Sequence, residues 1–291
     1  MYPSVFDYKV AHTVEEALDL LNEHGSDARI LAGGQSLIPM MKLRLAHPGV
    51  LVDINRIPGL STITTNGHLA IGALARHADV ERSSAARSFN KTLDGAAPWI
   101  ADPIVRNRGT LCGSLAHCDP EGDWASVMLA VGGSVVAISK AGEREIPMTE
   151  FLVDFFTNSL QPGEMVKEAR IPAYSGRGGG TYIKLERKIG DYATVGVASH
   201  LVLDDAGHIS DAGIGLTSVG HHNLKATHAE NIMLGEPPSD ELFAEAANAA
   251  ANACEPESDV RGPAEYKRDL VRVYTRRALA KALSQAAGNQ E

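Results

Sequence analysis

The chain has 291 residues, enough for about two domains at roughly 150 residues each. Hydrophobic residues at 44% and charged residues at 22% are globular proportions and exclude a disordered or fibrous chain. A net charge of −9 argues against a protein built to grip the nucleic-acid backbone, and three cysteines cannot form a disulfide framework.

The N-terminus lacks the basic-then-apolar order of a signal peptide. The stretch at residues 124–139 is free of Asp, Glu, Lys and Arg but is too short for the roughly 20 residues of a membrane span, and Gly132-Gly133 divides it. A cytoplasmic protein without transmembrane segments is expected. Thr13-Val14-Glu15-Glu16 reads as a capping box, followed by a helix with Val14, Ala17, Leu18 and Leu21 on one face and Gly25 as its stop. A strand at 29–31 then runs into Ala32-Gly33-Gly34-Gln35-Ser36, a helical segment at 37–45 and a strand at 50–54. Asn66-Gly67 is a hairpin signal between strands at 61–65 and 68–74. Helical stretches are predicted around 76–100, a long irregular passage at 102–123, a helix at 123–131, a strand pair at 134–139 and 143–147, and a strand at 164–171. Ser175-Gly176-Arg177-Gly178-Gly179-Gly180 reads as a linker. Beyond it come strands at 181–187, 194–204 and 208–218, then helices at 224–234, 239–254 and 264–285, the order of a separate α+β domain.

Three segments carry candidate chemistry. In Ala32-Gly33-Gly34-Gln35-Ser36, paired glycines before a helix allow close backbone approach, and the helix start offers free N–H groups to an anion. A plain tight turn is the alternative. The second segment, Arg108-Gly109-Thr110-Leu111-Cys112-Gly113-Ser114, repeats the pattern, with His117, Asp119 and Asp123 beyond it as hydrogen-bonding groups or helix caps. Two such loops suit a ligand with a long diphosphate-bearing chain. The third segment, 184–198, offers a lysine to an anionic group and a tyrosine to an aromatic ring; a charged edge strand would look the same. Cys112, His117 and Cys118 lack a second ligand cluster at zinc spacing, and no catalytic acid, base or nucleophile stands out.

Together these segments resemble the FAD-binding medium subunits of molybdenum hydroxylases, the xanthine dehydrogenase and aerobic carbon monoxide dehydrogenase family. The resemblance runs from Phe6-Asp7-Tyr8 to the final helices. Its most specific parts are Ala32 through Arg44, Gly109 through Asp123, and Asp191-Tyr192-Ala193-Thr194-Val195-Gly196-Val197-Ala198. It implies an α+β fold: a two-subdomain FAD-binding domain of the vanillyl-alcohol-oxidase-like (PCMH) type over residues 1–175, divided near 57, then a smaller sheet-plus-helices domain over 178–286. It implies that Ala32, Gly33, Gly34, Gln35, Ser36 and Leu37, with Thr110, Leu111, Cys112, Gly113 and Ser114, cradle the diphosphate and ribityl chain of FAD. His117, Asp119 and Asp123 would lie along the cofactor, Met165 by its backbone near the adenine, and Lys184, Asp191 and Tyr192 near the isoalloxazine.

One departure stands out. The family often has Thr-Ile-Gly-Gly followed by Asn or Asp, where this chain has Thr110-Leu111-Cys112-Gly113-Ser114, so Cys112 adds a side chain where glycine is common. The resemblance also implies partners: a large molybdenum-binding subunit and a small subunit with two [2Fe-2S] clusters, as a dimer of heterotrimers, cytoplasmic or peripheral at the inner membrane face. Electrons would pass through FAD to quinone or another acceptor. Carbon monoxide dehydrogenase is the favoured complex, with nicotine-, quinoline- or xanthine-type hydroxylases and a self-contained flavin oxidoreductase as alternatives. Three cysteines are too few for an iron–sulfur cluster of the chain's own.

Overall fold

The computed structural model describes residues 2–288. Thr13 caps the helix Val14–His24: the Glu16 amide donates to Thr13 Oγ1 at 3.1 Å, and the Glu16 carboxylate reaches back to the His12 amide at 2.7 Å. Ala17, Leu18 and Leu21 turn inward against a three-stranded sheet. Its central strand, Val50–Asp53, is parallel to both Asp7–Val10 and Ala28–Leu31. The Asp7–Val10 strand went unread because it is a four-residue, mostly exposed edge, too short for its alternation to stand out.

A five-stranded antiparallel sheet follows, in the order Ile63–Thr65, His68–Gly72, Met165–Pro172, Ser134–Ser139 and Gly142–Pro147. The Asn66-Gly67 turn joins its first two strands, with Gly67 at φ 70°. Helices fill the connection between the second strand and Ser134, among them Leu111–His117 and the fully buried Asp123–Ala130. The predicted irregular passage at 102–123 is therefore partly helical: Asp102 caps Pro103–Arg106 and Thr110 caps Leu111–His117, each through a side-chain oxygen.

The remaining sheet has four antiparallel strands: Arg177–Leu185, Val195–Leu203, Ile209–Thr217 and Leu224–Lys225. Helices Thr227–Met233, Asp240–Ala253 and Ala264–Ala286 cover it. The reading of the glycine run as a linker is corrected here, because Gly178, Gly179 and Gly180 lie within the first strand. A Cβ on Gly179 would stand 1.9 Å from the Ala282 carbonyl oxygen, and one on Gly180 would stand 2.0 Å from Thr92 Oγ1. The glycines let the strand pass between the last helix and the helix Lys91–Ala96. Glycine composition signals both flexible linkers and tight packing, so sequence alone misread it. No helix among the described residues is long and apolar enough to cross a membrane.

Candidate functional site

The first glycine loop follows the Ala28–Leu31 strand, and the second precedes the Leu111–His117 helix. They touch. A Cβ on Gly33 would lie 2.4 Å from the Arg108 carbonyl oxygen and 2.7 Å from Gly109 Cα, so only glycine at 33 lets the backbones meet. Gly34, at φ 72°, turns the chain into the helix Leu37–Lys42. Among the described residues the amides of Gly33, Gly34, Gln35 and Ser36 donate to no protein acceptor. Neither loop, 32–37 or 108–114, contains an acidic residue. Four free N–H groups on loops that carry no carboxylate of their own suit the two negative charges of a diphosphate.

Residues outside the predicted set hold this junction. Asn55 Nδ2 donates to Ala32 O at 2.9 Å and to Asp53 Oδ1 at 2.6 Å. Arg76 donates through Nη2 to Asn55 Oδ1 at 2.6 Å and through Nη1 to the Arg108 carbonyl at 2.5 Å. Tyr8 closes the chain of bonds onto Asp53. One guanidinium thus ties the carbonyl side of the second loop to the amide that holds the first. Asp53 and Asn55 at a strand end, and Arg76 after a hairpin, look like ordinary surface residues; only the fold brings them together. Arg76→Ala should weaken FAD binding about tenfold with little loss of secondary structure, the scale of one charge-assisted bond near 1.5 kcal/mol. Flavin-fluorescence titration checks this; unchanged affinity would remove Arg76 from the support.

His77 lies under the second loop. Its amide donates to Gly109 O at 3.0 Å, and its Nδ1 accepts from Trp124 Nε1 at 2.9 Å. Burial, aided by the Arg106 and Arg76 guanidinium groups, lowers its pKa to about 4. Unfolded histidine binds a proton below about 6.5. The folded protein refuses that proton until about pH 4, so His77's contribution is intact above 6.5 and lost as pH falls toward 4. The loss should reach roughly 2 kcal/mol at pH 5, at about 1.4 kcal/mol per pH unit. An NMR titration should find the His77 ring neutral at pH 5; a midpoint near 6.5 contradicts this.

The predicted residues fall into three groups. Thr110 is buried and its Oγ1 accepts from the Gly113 amide at 3.0 Å, shaping the helix start between Leu111 and Ser114. Cys112 points away from the loop: its thiol is buried, 3.4 Å from Ile71 O, and burial pushes its pKa up to about 12. The extra side chain thus fills core space and leaves the backbone of 110–114 clear.

A second group gathers at the far end of the same helix. His117 Nε2 lies 4.0 Å from Asp119 Oδ2, and its ring packs on Phe156 with centroids 5.1 Å apart. Tyr192 stands half-exposed beside Asp119; partial burial and the Asp119 carboxylate push its pKa up to about 12. Asp191 pairs with Arg187 at 3.2 Å. Phe156, at φ 50° on a tight turn, gave no sequence signal.

The third group is buried. Lys184 Nζ donates to Asp123 Oδ2 at 3.1 Å and Trp99 O at 3.2 Å, with Glu186 Oε2 at 3.4 Å. Tyr182 donates to Asp123 Oδ1 at 2.6 Å. The Lys184 and Asp123 side chains are 1% and 8% exposed, so they face each other across the two halves of the chain and not an open cleft. Burial raises the Asp123 pKa, opposed by the Lys184 ammonium and the Tyr182 hydroxyl. Met165 is buried in the strand beside Ile138.

Two glycine loops joined backbone to backbone, with free amides beside them, thus stand in the N-terminal part of a two-part α+β protein. The model of the "FAD binding domain in molybdopterin dehydrogenase" family matches residues 4–174, and that of the "CO dehydrogenase flavoprotein C-terminal domain" matches 180–282. The chain belongs to the family of FAD-binding medium subunits of molybdenum hydroxylases. It is 42% identical to the 6-hydroxypseudooxynicotine dehydrogenase complex subunit alpha of Paenarthrobacter nicotinovorans, over 100% of this chain and 99% of that one. It is 39% identical to the carbon monoxide dehydrogenase medium chain of Hydrogenophaga pseudoflava, over 99% of this chain and 100% of that one. The solved carbon monoxide dehydrogenase of Hydrogenophaga pseudoflava, a form lacking the Mo-pyranopterin moiety, superposes with TM-score 0.94 at 40% identity, covering 98% of this chain and 99% of that one.

Proposed function

We propose that this chain holds FAD as the electron-transfer subunit of a heteromeric molybdenum hydroxylase. In this reading residues 1–175 bind FAD and 178–286 form the C-terminal domain. A small partner carries [2Fe-2S] clusters and a large partner carries the molybdenum cofactor. The complex is a dimer of heterotrimers that passes electrons to quinone or another acceptor. The observation that carries the reading is the backbone contact between the two glycine loops, with four free amides beside it.

Bound FAD accepts and releases electrons one at a time, which suits it to link a cluster with a carrier. The chain's own residues bind and orient. Gly33, Gly34, Gln35 and Ser36 offer amides to the diphosphate, and Leu37 with Thr110, Leu111, Gly113 and Ser114 flanks the ribityl chain. Cys112 contributes there only through its backbone. His117, Asp119, Asp191 and Tyr192 face the ring end, and the Met165 backbone lies toward the adenine. Asp123 and Lys184 act from behind, by fixing the helix start at Asp123 against the Arg177–Leu185 strand.

Carbon monoxide is the proposed substrate, supported by one relative, the carbon monoxide dehydrogenase of Hydrogenophaga pseudoflava, matched both by sequence and by structure. The relative at 42% favours a second reading, a hydroxylated pyridine such as 6-hydroxypseudooxynicotine. The complex co-purified with its partners should contain flavin, iron and molybdenum and reduce a dye with one of these two substrates. Tyr192→Ala in that complex should change flavin reoxidation by at least about threefold, on the scale of 0.7 kcal/mol at the ring, and leave substrate turnover at molybdenum intact. Full turnover by the isolated chain would overturn the subunit reading; unchanged reoxidation would move Tyr192 away from the ring.

A further inference from the structure

The turn at 119–122 follows His117 at the far end of the candidate site, and the second half of the chain grips it at three points. The Ser218 amide donates to Pro120 O at 2.9 Å, Asn223 Nδ2 to Gly122 O at 2.9 Å, and Arg261 Nη1 to the Glu121 carboxylate. Arg261 comes from the loop between the last two helices, which is itself held. Its amide donates to Asp259 Oδ1 at 2.8 Å, Lys267 Nζ donates to Asp259 Oδ2 at 2.8 Å, and the Glu255 amide donates to Val219 O at 2.9 Å. The Arg261 side chain is 13% exposed, whereas that of Arg187, which also faces Asp191, is 61% exposed. Arg261 Nε is buried and donates to no acceptor; among the described residues no other guanidinium or ammonium group has such an atom. Leaving a charged donor buried and unpaired is costly, so the site calls for an acceptor that the protein does not supply.

The neighbours of Arg261 are the groups already assigned to the ring end. Burial opposes its charge, and the Glu121, Asp191 and Asp259 carboxylates outweigh burial and raise its pKa. The Tyr192 hydroxyl faces Asp119 and Glu121 in turn. We infer that Arg261 is a cofactor-binding residue, whose guanidinium donates to the carbonyl-bearing edge of the flavin ring and stabilises the charge that edge gains on reduction. The inference deepens the FAD reading above and rests on it. The chemistry selects that edge: a guanidinium is a planar fork of donors, and the pyrimidine edge of the ring offers acceptors where the dimethylbenzene edge offers none. Reduction brings two electrons from the partner's clusters and one proton from water to N5, leaving a negative charge on the pyrimidine edge. Asp119, Glu121 and Asp191 alone would oppose that charge, and a cation held out of water among them offsets it.

A redox titration of the flavin-loaded chain tests this. Arg261→Met should lower the two-electron flavin potential by about 30 mV, equivalent to a tenfold weaker hold on reduced than on oxidised FAD. Arg261→Lys, which keeps the charge, should recover most of that shift. Glu121→Gln breaks the same bond from the other side but leaves the cation in place, so its potential should equal or exceed that of wild type. If Arg261 serves only to strap the two halves together, Arg261→Met and Glu121→Gln lower Tm alike and leave the potential unmoved, which overturns the inference. An equal fall in potential in both variants overturns it as well, since the effect then follows the lost bond and not the charge. If the wild-type chain takes up no FAD, alone or with its co-expressed partners, the FAD reading itself falls, and the role of Arg261 with it.

Discussion

Gly33→Val is expected to abolish FAD retention. The Cβ would lie 2.4 Å from a backbone oxygen and 2.7 Å from a backbone carbon, and neither can rotate away as a side-chain tip could. The branched side chain would be driven into the second loop, so the two loops must separate and the surface they share is taken apart. Overpacking of this kind costs about 1–3 kcal/mol in stability. Loss of the joint cradle should cost affinity by more than about a hundredfold, or 2.7 kcal/mol. Purified variant should carry less than about a tenth of the wild-type flavin while keeping its far-UV spectrum. Stoichiometric flavin would show that the loops need not touch.

Lys184→Met is expected to be the most destabilising single change away from the cradle. It leaves the Asp123 carboxylate buried with the Tyr182 hydroxyl, and removes the counter-charge to Glu186. Breaking one side of a buried pair costs about 3–5 kcal/mol, far more than the pair's net stabilisation. At this chain length that is roughly a 10 °C drop in Tm. Asp123 in the variant has its folded pKa raised further above the unfolded value, so stability is lost as pH rises and recovered as it falls toward 4. Asp123→Asn combined with Lys184→Met should restore most of the loss. Urea unfolding checks each point; a single variant within about 1 kcal/mol of wild type would show that the pair does not hold the two halves together.

Much of the fold was legible because it is written locally. The Thr13 cap, the Asn66-Gly67 hairpin and the strand pair around 134–147 each follow from residues a few positions apart. The candidate loops were legible too, since glycines before a helix form a local pattern. What was not legible depends on distant partners. Gly33 meets Arg108 across 75 residues of chain, and Arg76 reaches Asn55 through geometry that no spacing encodes. Lys184 looked like a charged strand residue; its partner lies 61 positions away. The glycine run at 178–180 was misread for the same reason, because the helix backbone it accommodates arrives about a hundred residues later. Cys112 looked like an intrusion into the cradle, and only its burial against Ile71 shows that it turns into the core.

Hydrogen exchange on the full chain, stripped of flavin and then titrated with FAD, tests the shared cradle most directly. The loops at 33–36 and 110–114 should gain protection together, at one FAD concentration, because they form one surface. Protection confined to one loop, or gained elsewhere while both stay unchanged, would contradict it.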